Sequence, residues 1–128
     1  AYIYKRDSLS NTWSQQSKIL ASDGATSDGF GVSVAISGDY AIVGARGDDD
    51  KGDGSGSAYI FKRDENTWTQ QSKILASDGA TSDSFGYSVA ISGDYAIVEA
   101  FGDDIVKGLA YIFNSVSNPL SNVRSVAL

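Results

Sequence analysis

The sequence predicts an all-β fold built from two nearly identical units, each a meander of four short antiparallel strands. Three observations predict it. The 128 residues include seven Tyr, five Phe and two Trp, with fourteen Gly and a single Pro, Pro119, which is the composition of many short strands joined by turns. Residues 11–45 read NTWSQQSKILASDGATSDGFGVSVAISGDYAIVGA, and residues 66–100 repeat them at 31 of 35 positions, differing only at Ser14/Thr69, Gly29/Ser84, Val32/Tyr87 and Gly44/Glu99. Finally, the apolar runs have strand length, and no segment sustains a helical period.

The elements are justified in chain order. AYIYKRD at 1–7 returns as AYIFKRD at 58–64 and as AYIF at 110–113. The run 33–36 is short and apolar, and Ser37-Gly38-Asp39 turns it into 40–45, which predicts a tight hairpin. A Gly/Asp-rich loop at 47–56 leads to a strand at 58–62, whose apolar residues do not alternate strictly, as in a strand covered on both faces. The turn 63–66 leads to 67–75, whose polar stretch Thr69 to Lys73 suits an outer strand. ASDGATSD and Phe-Gly then open the next unit. The chain therefore divides, as one repeat domain (1–128), into units at about 11–65 and 66–113 and a divergent tail at 114–128. Four antiparallel strands with Gly turns fit a β-propeller blade; a small sandwich of nine strands fits the same pattern. Counting about nine strands leaves two blades and one strand over, because 86–113 supplies only three. A propeller closes with at least about four blades, so the chain is expected to self-associate into a ring, with the strand at 12–20 completing a neighbour's last blade, or to be a fragment of a longer array.

Composition excludes several functions. The net charge of −6 argues against nucleic-acid partners and anionic membranes, which require basic surface, and no apolar run reaches the roughly 20 residues of a membrane-spanning helix. Cys, His and Met are absent. Thiolate chemistry, disulfides and the commonest neutral-pH base are thereby removed, and without a conventional nucleophile–base pair no enzyme is expected. A chain that begins at Ala1 and contains no Met is expected to be a processed product or an excised piece.

Phe30-Gly31 followed by SVAISGDYAIV and Gly44-Ala45, and Phe85-Gly86 followed by SVAISGDYAIV, resemble the FG-GAP repeat of the integrin α-subunit head. The second copy departs at Glu99-Ala100, and Arg46 and Phe101 stand where the motif closes on Pro. The resemblance implies FG-GAP-type blades of four antiparallel strands, about two per chain, completed by oligomerisation. It further implies an extracellular or cell-surface module, non-catalytic, that binds protein or carbohydrate. Several relatives hold Ca²⁺ in an Asp-rich hairpin between the first two strands of a blade. Here that hairpin is only Ser37-Gly38-Asp39 or Ser92-Gly93-Asp94, too few carboxylates for the six to eight oxygens that Ca²⁺ takes, so no cofactor is expected there.

Alternate loops of a meander share a face, so the 47–56 loop and the unit-to-unit connector should form one acidic rim. It carries Asp23, Asp28, Asp48, Asp49, Asp50 and Asp53, with Asp78, Asp83, Asp103 and Asp104 from the second copy, opposite the turns bearing Lys5, Arg6, Lys62 and Arg63. Three readings compete: turn residues that keep the protein soluble, a Ca²⁺ site at Asp48, Asp50 and Asp53, or a ligand site on rigidly held loops. The ligand reading selects Asp23, Asp28, Asp48, Asp78 and Asp83, the aromatic residues Phe30, Phe85, Tyr87 and Phe101, and Arg46. Arg46-Gly47-Asp48 also spells the tripeptide that integrins recognise, although Phe101-Gly102-Asp103 fills the same slot in the second copy. Trp13 and Trp68, each just before a polar strand, are expected to pack between neighbouring units and to find an indole N–H partner; sugar stacking is the other reading.

Overall fold

The structure is a computed structural model that describes residues 1–102 and 108–114, and the backbone of 124–127. Its strands are β1 (Tyr2–Arg6), β2 (Trp13–Lys18), β3 (Ser33–Ser37), β4 (Tyr40–Ala45), β5 (Ser57–Asp64), β6 (Thr67–Ile74), β7 (Phe85–Ser92), β8 (Tyr95–Ala100), β9 (Leu109–Asn114) and β10 (Arg124–Ala127). All pair antiparallel, and the described residues contain no helix.

The strands form a two-stranded ribbon, β1-β2, and two four-stranded sheets ordered β3-β4-β5-β6 and β10-β9-β8-β7. The nine expected strands are β1 to β9. Two pairings were not expected. The strand predicted at 12–20 is already paired with β1 inside its own chain. The second unit is not left with three strands either, because Arg124–Ala127 pairs along β9 and supplies the fourth. By repeat register β1 and β2 correspond to β5 and β6, including a register shift after the Ile of AYI in both. The ribbon is thus the counterpart of the outer half of a unit.

Ribbon and sheets pack face on face in chain order. Alternation along β4 and β5 sends Ala41, Val43, Ala45, Tyr59 and Phe61 toward the ribbon, where with Trp68 they meet Ile3 and Ile19. The alternate set, Ile42, Ala58 and Ile74, faces the second sheet, where Phe85, Val98, Tyr111 and Phe113 lie against it. Each layer therefore has a leading face, turned toward the N-terminal end of the stack, and a trailing face, turned toward its C-terminal end. Full burial of such a side chain contributes about 1.5–3 kcal/mol, so these two interfaces hold the array together.

The approach of the second sheet depends on two glycines. Gly86, at φ +90°, carries β7 so close over β4 and β5 that a Cβ there would strike the Ser57 carbonyl oxygen. A Cβ on Gly44 would collide with the Gly86 carbonyl oxygen in turn. Only a residue without a side chain allows two backbones this close. Phe85, just before the contact, is fully buried and meets Tyr111 and Phe113 edge-on at 5.4 and 6.0 Å.

Candidate functional site

The acidic loops do come together on one rim. The 47–56 loop and the connectors join by backbone bonds: Gly47 N donates to Asp28 O, Ser82 N to Asp53 O, Ser84 N to Gly54 O and Phe85 N to Ser55 O. Lys51 clamps the same junction, its Nζ donating to Ala76 O at 2.7 Å and to Ser77 O at 2.9 Å.

Within this frame Asp23, Asp48 and Asp50 converge, their carboxylates within 4.8 Å of one another. Lys73 sits between them. Its Nζ lies 2.7 Å from Asp23 Oδ2, 2.8 Å from Asp48 Oδ2 and 2.7 Å from Asp50 Oδ2, and 5.4 Å from the centre of the Tyr59 ring. The Tyr59 hydroxyl donates to Asp23 Oδ1 at 2.9 Å and lies 3.2 Å from Asp48 Oδ2. The sheet builds this arrangement, because Tyr59 and Lys73 are cross-strand partners on β5 and β6.

The geometry sets the electrostatics. Burial favours the neutral form of Asp48, but hydrogen bonds from the Lys73 ammonium and the Asp50 amide outweigh it and hold the carboxyl below its ordinary range. Asp23 is lowered chiefly by its bond from Lys73. Burial likewise opposes the Lys73 charge, yet the hydrogen bonds to Asp23, Asp48 and Asp50 raise its pKa above the ordinary lysine range. Tyr59 is raised, first by burial and then by its bond to Asp23. The shifts of Lys73, Asp23 and Asp48 therefore hold an ammonium and its two carboxylate partners charged at neutral pH.

Asp53 is exposed and stands outside this cluster; Asp23 completes the trio with Asp48 and Asp50. Asp28 and Asp83 are buried and cap their own connectors, accepting from Ala25 N and Ala80 N at 2.6 Å each. Asp78 accepts from the Tyr111 hydroxyl at 2.8 Å. Asp48 is buried, so the Arg46-Gly47-Asp48 tripeptide does not present its carboxylate. Phe30 is half-buried against Tyr59 and Phe61, and Phe85 is core. Asp103 and Asp104 lie outside the described residues. Trp68 packs as expected, its Nε1 donating to Gln16 Oε1 at 2.8 Å across the ribbon–sheet boundary, whereas Trp13 is 66 % exposed.

Three predicted residues remain together at the surface. Tyr87 and Phe101 stack with ring centres 5.0 Å apart, and the Arg46 guanidinium lies 5.5 Å from the Tyr87 ring. All three are exposed. They come from both units, Arg46 after β4, Tyr87 in β7 and Phe101 after β8, and the counterpart positions hold Val32 for Tyr87 and Arg46 itself for Phe101. A second concave feature is a cleft of about 150 Å³ between the two sheets near the β7–β8 turn, lined by Tyr40, Gln71, Asp94, Tyr95 and Asn114.

Lys73 and Tyr59 are the residues that sequence reasoning missed. Lys73 reads as one more polar residue on an outer strand; the available signal was the four-strand register, which sets SKI beside AYI.

The family model for the FG-GAP repeat matches residues 13–61 and 68–113, more than half of the chain. The chain belongs to the FG-GAP repeat family. The match accounts for the pair of glycines at the sheet–sheet contact: Phe85-Gly86 of one FG-GAP repeat seats against Gly44-Ala45 of the repeat before it. The all-β antiparallel sheets are those expected of FG-GAP blades, and such repeats point to a propeller-type binding module. No curated protein matches the sequence.

Proposed function

We propose that this FG-GAP chain is a non-catalytic binding and adhesion module that works outside the cell or at its surface, and that Arg46, Tyr87 and Phe101 form its ligand-facing cluster. The observation that carries the reading is the contrast within the rim. The convergent carboxylates are engaged by Lys73 or by capping bonds, while two stacked rings and a guanidinium remain at the surface where two repeats meet. Tyr and Arg are residue types that dominate binding hot spots, and loops on a rigid scaffold are where such groups serve recognition. A sequence without His or Cys lacks the conventional nucleophile–base pairs, which supports a non-catalytic role. Ca²⁺ does not fit the Asp23, Asp48 and Asp50 trio while the Lys73 ammonium occupies its centre, so we assign it no metal.

A second reading, binding of carbohydrate, is favoured by the inter-sheet cleft, which combines the Tyr40 and Tyr95 rings with Asp94, Asn114 and Gln71. At about 150 Å³ it is smaller than a pocket for a drug-sized ligand and suits a single polar ring.

The experiment is a parallel screen of the 128-residue chain on printed extracellular-matrix proteins and on a glycan array, with the variants Tyr87→Ala/Phe101→Ala and Tyr95→Ala. The first reading expects a protein ligand whose binding falls at least about tenfold in the double variant, a loss of about 1.4 kcal/mol, and is unchanged by Tyr95→Ala. Glycan binding lost on Tyr95→Ala selects the second reading. No binding on either surface overturns both.

A further inference from the structure

The molecule contains two successive layer contacts, ribbon on first sheet and first sheet on second, and they differ at one place. In the first, the Trp68 indole on the outer strand β6 is buried, and its Nε1 donates to Gln16 Oε1 at 2.8 Å. It shares a buried cluster with Ile3, Ile19, Ala41 and Phe61. By repeat register the counterparts of these four residues in the second contact are Ile60, Ile74, Ala96 and Phe113, and the counterpart of Gln16 is Gln71. All five line the cleft of about 150 Å³ between the two sheets. The cleft is thus the place that Trp68 fills one layer earlier. The second sheet takes its outer strand from Arg124–Ala127, and residues 114–128 contain no Trp, Tyr or Phe, so that segment brings no ring of its own.

The acceptor is kept as well. Each outer strand carries a register shift that leaves one residue without a cross-strand partner, Gln16 between Gln15 and Ser17 and Gln71 between Gln70 and Ser72. A bulge of this kind re-aims a side chain, and here it turns each glutamine toward the next layer. The Gln16 carboxamide is engaged by Trp68. The Gln71 carboxamide has no partner among the described residues and stands exposed at the mouth of the cleft.

We propose that this cleft is a binding site for an indole, a flat apolar bicycle whose single N–H donates to Gln71 Oε1 as Trp68 donates to Gln16. An apolar-walled cavity of about this volume takes one benzene-sized ring. The six-membered ring therefore enters between Ile60, Ile74, Ala96 and Phe113, and the N–H stays at the mouth. A saccharide would carry hydroxyl groups against the same apolar walls, where burial without a partner is costly. The inference rests on the cleft of the second reading and narrows its ligand to a ring with one polar edge. It does not involve Arg46, Tyr87 or Phe101, so the first reading can fail without it.

Titration of the 128-residue chain with indole, followed by two-dimensional amide NMR, tests it. Saturable shifts are expected at Gln71, Ile91 and Ala96. 1-Methylindole, which has no N–H, should bind about two- to tenfold more weakly, the worth of one neutral hydrogen bond. In Gln71→Leu the two ligands should bind equally, and Ser72→Phe, which fills the cleft from an outer strand, should abolish both. If Ser72→Phe loses the dispersed spectrum of the fold, Ile91→Phe replaces it with the same expectation. N-Acetyltryptophanamide separates the sources of the group: binding at least as tight as that of indole assigns the site to a Trp side chain of a partner protein, and weaker binding assigns it to a free indole. A cleft whose amides do not move with indole overturns the proposal, as does 1-methylindole binding as tightly as indole. Methyl glucoside moving these amides where indole does not would keep the second reading and overturn this one.

Discussion

Phe30-Gly31 and Phe85-Gly86 open two units that agree at 31 of 35 positions, yet their environments differ. Phe85 is fully buried, its amide donates to Ser55 O at 3.0 Å, and the neighbouring Gly86 lies against the backbone of the first sheet. Phe30 is half-buried, and a Cβ on Gly31 would meet nothing within 4 Å. Val34 and Ile36 are each 59 % exposed, whereas Val89 and Ile91 pack into the inter-sheet core. The ribbon in front of the first sheet offers only outer strands, while the first sheet offers the second one a complete face. Burial in a repeat protein belongs to the interface with the neighbour rather than to the unit's own sequence.

The comparison breaks most severely at Gly44. Gly44→Glu, which copies Glu99 into the first unit, should cost at least about 3 kcal/mol and separate the two sheets, because the new side chain has no space beside Gly86. Glu99→Gly should cost only about 0.5–1 kcal/mol, the backbone-entropy penalty of a glycine inside a strand. Denaturant unfolding monitored by circular dichroism reads both; equal effects would mean that the two positions are not differently covered.

Next in size is the aromatic pair. Phe85→Ala should cost about 3–5 kcal/mol as a fully buried large-to-small change, and Phe30→Ala about half as much, since the half-buried ring leaves little cavity. The same melts check the ratio.

Lys73→Met should cost about 2–3 kcal/mol at pH 7, because it leaves the buried Asp48 carboxylate without its cation. Lys18→Met, at the counterpart position in the ribbon, should cost less than about 0.5 kcal/mol, because Lys18 is exposed. The pH dependence has a definite sign. Asp23 and Asp48 are lowered in the fold, so their contribution is present above the ordinary carboxylate range and is lost as pH falls through their folded values, below about pH 4. Lys73 is raised, so its contribution is complete below its ordinary value of about 10.5 and is lost only as pH rises through the higher folded value. The difference between wild type and Lys73→Met should therefore be flat across neutral pH and shrink toward pH 3. A difference that grows on acidification would contradict the cluster's role.

The smallest effect is spectroscopic. Trp68 is buried and hydrogen-bonded to Gln16, whereas Trp13 is exposed. Trp13→Phe should leave a blue-shifted emission resistant to iodide, and Trp68→Phe a red-shifted, quenchable one. Matching spectra would mean that the two indoles share one environment.

Much of the fold was legible in the sequence because the repeat sets the register. The hairpin around Ser37-Gly38-Asp39, the apolar runs of β4 and β5 and the gathering of acidic loops on one rim follow from turn chemistry and alternation. The second sheet's outer strand was not legible: Arg124–Ala127 resembles neither copy, and its place is set by pairing with β9 rather than by pattern. Nor did the count of strands reveal that 1–18 corresponds to the outer half of a unit, although AYIYKRD and NTWSQQSK are the β5 and β6 sequences with few changes. At the rim, residue type suggested Asp for metal or ligand, but the function of Asp48 depends on a lysine 25 residues away that only the sheet brings within reach. Tyr87 and Phe101 were selected for lying near loops and Arg46 for its Arg-Gly-Asp tripeptide; their meeting is a product of the inter-sheet contact.

Native-state amide hydrogen exchange, resolved by NMR at the paired residues of the two units, tests the central claim most directly. The account predicts that the Ser84 and Phe85 amides, bonded to Gly54 O and Ser55 O of the preceding sheet, exchange slowly. The amides of Gly29 and Phe30, in front of which the ribbon supplies no inner strand, should exchange at least about a hundredfold faster, a gap of roughly 2.7 kcal/mol in opening free energy. Equal protection at Phe30 and Phe85 would contradict the account, because the two units would then meet equivalent neighbours.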